Sequence, residues 1–409
     1  MRIKKLDILN ESEFRENVLL LGHNHHFAEN IVLKTNGAAS SFVITDIGGD
    51  IMTRCGRLFK EKGYSISLIN LDRPDMSLKY NPLWHICGEG DIDPLVKILV
   101  RNEARDDSFL IDAERMLLHA IISFLFHHTN REDRVCSQVL NMISMIMESD
   151  EEYTPLDYVF EVTRMKNPGS KACTYYEKFC CCCGKSGKIK KKVANALMQK
   201  LSIFSDQTFR ALTEFDDMAL TDLYEKNTVL FINLPVRNAE YDFLAEIIYF
   251  QLFRNLQSYT HKFPLCILND IKMLMNQFDR VGSQIPDIES EISKGASSQI
   301  FTLISTQSIG ALFKNMLNPS MDRLVSDCSS IIYRHAEEET AKWFTRTVYR
   351  RTVVKNSHPS APHAEIKESI SKIFDSVYDD YAVCRKKSIE DGSENIKLNI
   401  CKYLPVIAS

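Results

Sequence analysis

The sequence contains no apolar run long enough to cross a lipid bilayer. Its most apolar segment, residues 116–126, is too short to span a membrane and includes a histidine. The amino terminus is basic, but it lacks the apolar stretch that a secretion signal requires. The sequence therefore predicts a cytoplasmic protein without a membrane span.

An excess of charge of one sign is also lacking. The chain has 50 Lys and Arg against 54 Asp and Glu, which gives a formal net charge of −4. So close a balance provides no long-range attraction to nucleic acid or anionic lipid, and any contact with a polyanion has to be local. The 12 cysteines come without a secretion signal, which predicts reduced thiols rather than a disulfide framework.

What the sequence does contain is a series of nearly continuous apolar runs, with helical patterns between several of them. The runs are residues 17–21, 41–45, 65–71, 227–234, 264–270, 299–306 and 329–334. Runs of this kind are typical of parallel strands that are covered on both faces. Their alternation with helices predicts an α/β fold with a largely parallel sheet.

The strand pattern is missing between about residues 107 and 205, where apolar residues recur at helical spacing instead. Because strands resume afterwards, we predict an all-α domain inserted into the α/β domain. The predicted division is 1–106 for the first part of the α/β domain, 107–205 for the insertion and 206–409 for the second part.

The turn after the first strand stands where a phosphate-binding loop, G-x-x-x-x-G-K-[ST], would be expected. Only Gly22 matches this pattern, because Phe27 replaces the second glycine, Ala28 the lysine and Glu29 the hydroxyl. A bulky aromatic is disfavoured where the loop needs positive φ. A carboxylate about 4 Å from a phosphate would be repelled by roughly 4 kcal/mol at an effective dielectric of 20. Standard nucleotide binding is therefore not expected.

Two groups of residues are candidate metal ligands. His23, His25 and His26 follow Gly22, but their spacing matches no standard zinc pattern and no fourth ligand is identifiable. Cys180 and Cys183 form a C-x-x-C pair without a second pair at zinc-ribbon spacing. We predict no metal site, a polar surface turn at the histidines and free thiols at the cysteines.

A run of lysines forms the densest basic patch of the chain. Its members are Lys185, Lys188, Lys190, Lys191 and Lys192. A run of this kind is most often a solvated face, and we expect these lysines to be exposed. The alternative function is weak contact with nucleic acid or another anionic partner that does not depend on sequence. Replacing the last three lysines with glutamate is expected to leave folding nearly unchanged, because exposed charges contribute little to stability.

Several motifs, read in order, resemble those of the type IV coupling proteins of conjugation and type IV secretion. Residues 45–50 read TDIGGD in place of the family's T-D-x-K-G-E, and residues 80–83 read YNPL, like the family's Y-N-P. Residues 267–270, ILND, stand in place of the Walker B strand L-L-D-E, and LISTQS, which contains Gln307, resembles the sensor strand. Members of the family are RecA-like ATPases that hand DNA or protein substrates to a secretion channel.

The resemblance implies a RecA-like P-loop NTPase fold with an inserted all-α domain. It also implies a vestigial nucleotide site at Gly22, His25, His26, Phe27, Ala28, Glu29, Asp270 and Gln307. Three departures stand out. The loop lacks its lysine and hydroxyl, Ile271 replaces the Walker B glutamate, and the spacer from Asp270 to the G-x-I-P-like segment at 282–286 is longer than in the family. Family members usually begin with transmembrane helices, whereas the first strand here begins by residue 17.

These departures lead to a hypothesis of a catalytically degenerate coupling protein. It would act as a non-hydrolytic binding or regulatory subunit of the transfer machinery, with protein partners, no cofactor, and a monomeric or small oligomeric state. The alternative is an ATPase that binds ATP and magnesium through an unconventional loop, with His25 or His26 supplying the missing positive charge. A decayed gene product with no retained partner is a third alternative.

Overall fold

The fold is that of a computed structural model. The structure describes residues 4–5, 15–22, 39–101, 108–148, 152–184, 186–264, 269–334, 338–343, 381–390 and 393–402. Within these ranges, no helix has both the length and the apolar character needed to span a membrane.

Within the described residues, ten strands form one sheet, in the order β1-β10-β9-β8-β2-β7-β6-β3-β5-β4. Their bounds are β1 Lys4–Lys5, β2 Val18–Gly22, β3 Ser40–Ile47, β4 Ser65–Asn70, β5 Thr228–Leu234, β6 Asp270–Met275, β7 Ile300–Thr306, β8 Ser330–Arg334, β9 Tyr381–Glu390 and β10 Ser393–Lys402. All pairings from β8 through β2, β7, β6 and β3 to β5 are parallel. The predicted α/β fold with a largely parallel sheet is therefore confirmed.

Helices connect most of these strands. Their bounds are α1 Asp50–Glu61, α2 Ile92–Leu99, α3 Ser108–His128, α4 Cys136–Ser144, α5 Pro155–Lys166, α6 Lys171–Cys183, α7 Gly187–Lys200, α8 Gln207–Thr213, α9 Asp222–Glu225, α10 Asp242–Lys262, α11 Ile288–Gly295, α12 Ile309–Asn315, α13 Asn318–Asp327 and α14 Glu338–Trp343. The described residues between 107 and 205 contain helices and turns but no strand, as their apolar spacing predicts.

The described residues group into two compact units. One unit comprises the described parts of 1–68, 220–242 and 259–409, and the other comprises 69–219 with 243–258. We call the first the sheet unit and the second the helical unit. The helical unit contains more of the chain than the insertion predicted at 107–205. The boundaries of the inserted domain stay a prediction. The helical unit is larger because the chain on either side of the insertion, and most of α10, pack with these helices.

The core of the sheet unit is built from apolar side chains of β2, β3, β5, β6, β7 and β8 together with α1. Its aromatic centre brings the Phe59 ring of α1 within 5.5 Å of Phe42, 5.3 Å of Tyr64 and 6.1 Å of Phe231, centroid to centroid. All four rings are buried. Burial of aromatic rings at these separations anchors α1 on the sheet and fixes the position of its amino terminus.

One strand differs from its prediction. The apolar run at 264–270 predicts a strand that ends at Asp270, whereas β6 begins at Asp270 and ends at Met275. The prediction failed because of Lys272, a charged residue that lies in the middle of β6 and is only 2 % exposed. Its ammonium lies 5.6 Å from the centre of the Phe42 ring, a contact that favours a buried cation. A charged residue in a central strand breaks the apolar pattern on which the prediction relies.

In the helical unit, the YNPL segment belongs to a buried polar network. Tyr80 is fully buried, donates its hydroxyl to Gln251 Oε1 at 2.6 Å, and stacks on the His85 ring at a centroid distance of 4.6 Å. Asp216 accepts hydrogen bonds from the Asn81 backbone N–H at 2.9 Å and from His85 Nε2 at 2.7 Å. The motif therefore holds the start of the helical unit together rather than lining a ligand site.

Candidate functional site

A cleft of about 290 Å³ opens in the sheet unit at the carboxyl ends of β2, β3, β6 and β7. This edge is where ligands bind in open α/β sheets. The residues that line the cleft are Gly22, Asp46, Ile47, Asp50, Ile51, Arg54, Val236, Asn276, Gln277, Ser305, Thr306 and Gln307. They come from several separate stretches of the chain, so the sheet topology brings them together.

Two of the residues predicted for the vestigial nucleotide site meet in this cleft. Gly22 ends β2, and Gln307 follows β7, which pairs with β2 in parallel so that Leu21 lies opposite Thr306. The other residues predicted on the loop lie outside the described residues. They are His25, His26, Phe27, Ala28 and Glu29, and the candidate metal ligand His23 also lies outside the described residues.

Asp270 requires a correction. The register of β6 pairs Asp270 with Ser40, the first residue of β3, so Asp270 lies at the amino end of its strand. This is the opposite edge of the sheet from the cleft. There its carboxylate forms an ion pair with Arg15, with an Nε–Oδ2 distance of 2.8 Å. Its assignment to the nucleotide site is therefore wrong, and so is the match of the adjacent Ile271 to the Walker B glutamate, because both rested on the displaced strand prediction.

The residues that sequence analysis missed are Asn276 and Gln277. They directly follow β6 and line the cleft. Residues 274–277 read LMNQ, and their place at the carboxyl end of the strand corresponds to the L-L-D-E of the resembled family. With the motif at residues 274–277, the spacer before residues 282–286 is shorter than when it is counted from Asp270. The unusually long spacer from Asp270 was the signal in the sequence that could have revealed the correct position. In this match, amides stand at the two positions where the family motif has carboxylates.

Asp46 lies at the base of the cleft and caps the amino terminus of α1. Its two carboxylate oxygens accept hydrogen bonds from the backbone N–H groups of Ile51 at 3.0 Å and Met52 at 2.8 Å. Burial raises the pKa of Asp46, and the two backbone hydrogen bonds oppose that shift. These N–H groups of the helix are therefore bonded within the protein.

The TDIGGD turn bends sharply in front of this helix. Gly48 and Gly49 have φ angles of 73° and 76°, which are left-handed conformations that favour glycine. A Cβ atom on Gly48 would also lie 2.9 Å from Cγ2 of Val236. The two glycines therefore allow β5 and the turn after β3 to approach each other at the mouth of the cleft.

The charge around the cleft is slightly negative. Among the described residues that line it, Asp46 and Asp50 carry carboxylates, and Arg54 carries the one positive charge. Arg54 is exposed, and its Nε atom donates to the backbone oxygen of Asp50 at 3.3 Å. The rest of the described lining consists of amides, hydroxyls and apolar groups. The formal charge of the described lining is therefore −1.

The lysine run lies in the helical unit, and one prediction about it is wrong. Lys190 is only 7 % exposed, and its ammonium pairs with Asp157 at an Nζ–Oδ1 distance of 2.7 Å. It lies on the face of α7 that buries Val193, Ala194 and Leu197, at the i, i+3, i+4 and i+7 spacing of one helix face. The remaining lysines differ in their surroundings. Lys188 and Lys192 are exposed, Lys191 is half-buried, and Lys185 lies outside the described residues.

The cysteine pair lies at the end of α6 in the same unit. Burial raises the pKa of the Cys180 thiol to about 11 and that of Cys183 to about 12, so both are protonated near neutral pH. Across the described ranges, no cluster of three or more His, Cys, Asp or Glu side chains has the geometry to hold a metal ion.

Several solved structures share this fold. The unbound form of the bacterial conjugative coupling protein TrwBdeltaN70 has a TM-score of 0.60 and 12 % identity, covering 97 % of this chain and 86 % of that chain. TrwB in complex with the GTP analogue GDPNP has a TM-score of 0.62 and 12 % identity, covering 99 % and 89 %. VirB4 of Thermoanaerobacter pseudethanolicus has a TM-score of 0.56 and 10 % identity, covering 95 % and 89 %.

At these identities the structural similarity shows the fold, which is the P-loop NTPase fold of the coupling proteins. No curated protein matches the chain by sequence. The model of the family described as Type IV secretory system Conjugative DNA transfer matches residues 32–373, well over half of the 409 residues. The chain therefore belongs to the type IV secretory system conjugative DNA transfer family.

Proposed function

We propose that this chain is a non-hydrolytic member of its family, which acts in the cytoplasm as a binding or regulatory subunit of transfer or secretion machinery. The observation that carries the proposal is the pair of amides, Asn276 and Gln277, at the carboxyl end of β6. Phosphoryl transfer in this fold needs acidic groups there, one to hold magnesium and one to position the attacking water. Neither amide can take up a proton from water at physiological pH.

The phosphate-binding side supports the same proposal. Phe27, Ala28 and Glu29 replace the glycine, lysine and hydroxyl that cradle the phosphates and hold magnesium. Asp46, at the base of the cleft, uses both carboxylate oxygens to cap α1. The donor set around the described part of the cleft does not fit magnesium-bound ATP, and no catalytic step is assigned to it.

The partners that we propose are protein components of the transfer machinery, which is the setting in which the family works. Contact with nucleic acid is expected to be weak, because Lys190 is taken up by an ion pair and only Lys188 and Lys192 of the described run are exposed. A monomer or small oligomer is expected, since no nucleotide would join neighbouring copies.

Measurements of ATP turnover and ATP binding test the proposal. We expect no hydrolysis above the background, and calorimetry should find no affinity tighter than about 1 mM, a binding free energy of about −4 kcal/mol. An intact coupling ATPase serves as the positive control. Ala28→Lys alone should remain inactive, because the site would still lack the acidic groups at positions 276 and 277.

Turnover by the parent protein, or micromolar affinity for ATP, would contradict the proposal. Either result would favour the alternative ATPase with an unconventional loop. Turnover by the Ala28→Lys variant alone would show that another group activates the attacking water.

A further inference from the structure

The segment that follows β6 is tied to its surroundings by hydrogen bonds that need no ligand. We call residues 276–283 the β6 segment. Its groups bond to the carboxyl ends of β3 and β7, to the residues after β5, and to α12. In nucleotide-dependent switches, loops at this edge are held by the bound phosphates and magnesium. Here the protein supplies the attachments itself.

The first attachment depends on the amide of Asn276. Its Nδ2 atom donates to the backbone oxygen of Thr45, at the end of β3, at 2.8 Å. A backbone carbonyl only accepts hydrogen bonds, so the group that faces it has to be a donor. An ionised carboxylate at this position would place lone pairs against the carbonyl oxygen. The amide is therefore required by the packing of these two strands.

The hydrogen bond from Asn276 to Thr45 also affects the start of α1, because of where Thr45 lies in the chain. The next residue is Asp46, whose carboxylate caps α1 on the floor of the cleft. By holding the Thr45 carbonyl, Asn276 links the end of β6 to the turn that starts α1. One side-chain hydrogen bond thus connects two walls of the cleft.

The second attachment joins the β6 segment to β7 and α12. The Phe278 backbone N–H donates to the Ser305 oxygen, and Thr306 Oγ1 donates to Asp279 Oδ1, each at 2.8 Å. The Asn315 amide donates to the backbone oxygen of Asp279 at 3.0 Å and to Ser283 Oγ at 2.9 Å. These bonds involve both backbone and side chains, so they fix the path of the segment.

The third attachment is made by Arg280. Its guanidinium forms a two-pronged ion pair with Asp242, with Nε–Oδ2 and Nη2–Oδ1 distances of 2.6 and 2.8 Å. It also donates to the backbone oxygens of Pro235 and Asn238, both at 2.8 Å. The two charged side chains are 17 % and 9 % exposed, so solvent screens them little. Arg280 thereby ties the β6 segment to the residues that follow β5.

We infer that the β6 segment holds this edge of the cleft in one arrangement without nucleotide, and we call this arrangement the lock. Asn276 is its positioning residue. This arrangement rests on the proposed function, because an edge held without nucleotide matters only in a chain that does not use ATP. A partner that contacts this edge would meet the same surface whether or not ATP is present. Binding of such a partner would not be gated by nucleotide.

The test is the single-atom change Asn276→Asp, followed by thermal unfolding at two pH values. At pH 8 the carboxylate faces the Thr45 oxygen, and Asp46, Asp50 and Arg54 line the same cleft. Asp279 and Arg280 follow three and four residues along the chain, where they bond to Thr306 and Asp242. We expect the melting temperature to fall by roughly 3 to 6 °C relative to the parent. The neutral carboxylic acid can donate a hydrogen bond to the Thr45 carbonyl, so the folded-state pKa of the new group is raised. The deficit should therefore shrink at pH 5.

The matched control is Gln307→Glu, which makes the same chemical change at an exposed position on the same cleft. It should change the melting temperature by less than about 1 °C. Hydrogen exchange of residues 276–283 should be slow in the parent, equally so with and without millimolar Mg-ATP, and faster in Asn276→Asp at pH 8.

The outcomes separate the lock from the proposed function. An Asn276→Asp variant that melts like the parent at pH 8, or whose deficit does not shrink at pH 5, would overturn the lock whatever ATP does. Protection of residues 276–283 that develops only when Mg-ATP is added would also overturn it. Binding of ATP without any change in this protection would contradict the proposed function and leave the lock supported.

Discussion

Replacing Lys190 with alanine is expected to lower the free energy of unfolding by about 3–5 kcal/mol, the usual cost of removing one partner of a buried ion pair. The Lys190 and Asp157 side chains are only 9 % and 11 % exposed. Asp157 also accepts hydrogen bonds from the Thr154 backbone and from the Tyr176 hydroxyl, at 2.8 and 2.9 Å. Without the lysine, its carboxylate would remain buried among these donors without a countercharge.

The dependence on pH follows from the pKa of Asp157. Burial acts to raise this pKa, but the hydrogen bonds from Lys190 and Thr154 outweigh burial and lower it. A carboxyl with a lowered folded-state pKa stabilises the protein above its unfolded pKa, and this stabilisation is lost as pH falls through the folded-state pKa. The difference between parent and Lys190→Ala should therefore be largest near neutral pH and should narrow in acid.

Denaturant unfolding measures this difference, and the double variant Lys188→Ala, Lys192→Ala is the control. It removes two exposed lysines of the same helix and should change the free energy of unfolding by less than about 1 kcal/mol. Equal effects of the single and the double variant would show that Lys190 behaves as a surface residue. The earlier expectation that the last three lysines can be replaced without loss of stability would then be restored.

Asp216→Ala is expected to have the second large effect, a loss of about 3–5 kcal/mol in the free energy of unfolding. The Asp216 side chain is 5 % exposed and accepts three hydrogen bonds. The donors are the Asn81 and Met218 backbone N–H groups, at 2.9 Å each, and His85 Nε2 at 2.7 Å. Alanine would leave all three donors without an acceptor in a region that water reaches poorly.

The neighbouring Asp217 provides a matched control for this variant. It is exposed and accepts one hydrogen bond, from the Lys79 backbone N–H at 3.0 Å. Asp217→Ala should cost about 1 kcal/mol, so the two alanine variants should differ clearly in chemical denaturation. If Asp216→Ala is no less stable than Asp217→Ala, the buried network around the YNPL segment does not hold the helical unit together.

Several strands could be predicted from the sequence because their apolar pattern is uninterrupted. The runs at 41–45, 227–234 and 299–306 correspond to β3, β5 and β7, which are buried on both faces of the sheet. The helices of the inserted region follow equally from local spacing. In each case the signal lies within one short segment, so no knowledge of distant contacts is required.

β6 could not be placed in this way, and the candidate site changed with it. Lys272 interrupts the apolar pattern of the strand, and it is tolerated there because the Phe42 ring on β3 lies beside its ammonium. The displaced strand prediction put Asp270 at the site and hid Asn276 and Gln277. The local clue was the spacer before residues 282–286, which is long when counted from Asp270 and shorter when counted from residues 274–277.

The sequence by itself determined the α/β fold class, the family, and the loss of the lysine and hydroxyl from the loop after β2, because each depends on residue identities and their order. Only the tertiary structure decided which edge of the sheet Asp270 occupies, that Lys190 is buried against Asp157, and that the Asn276 amide faces the Thr45 carbonyl. Each of these is a contact between segments that are distant in the chain, and its free energy depends on burial and geometry that arise only when those segments pack together.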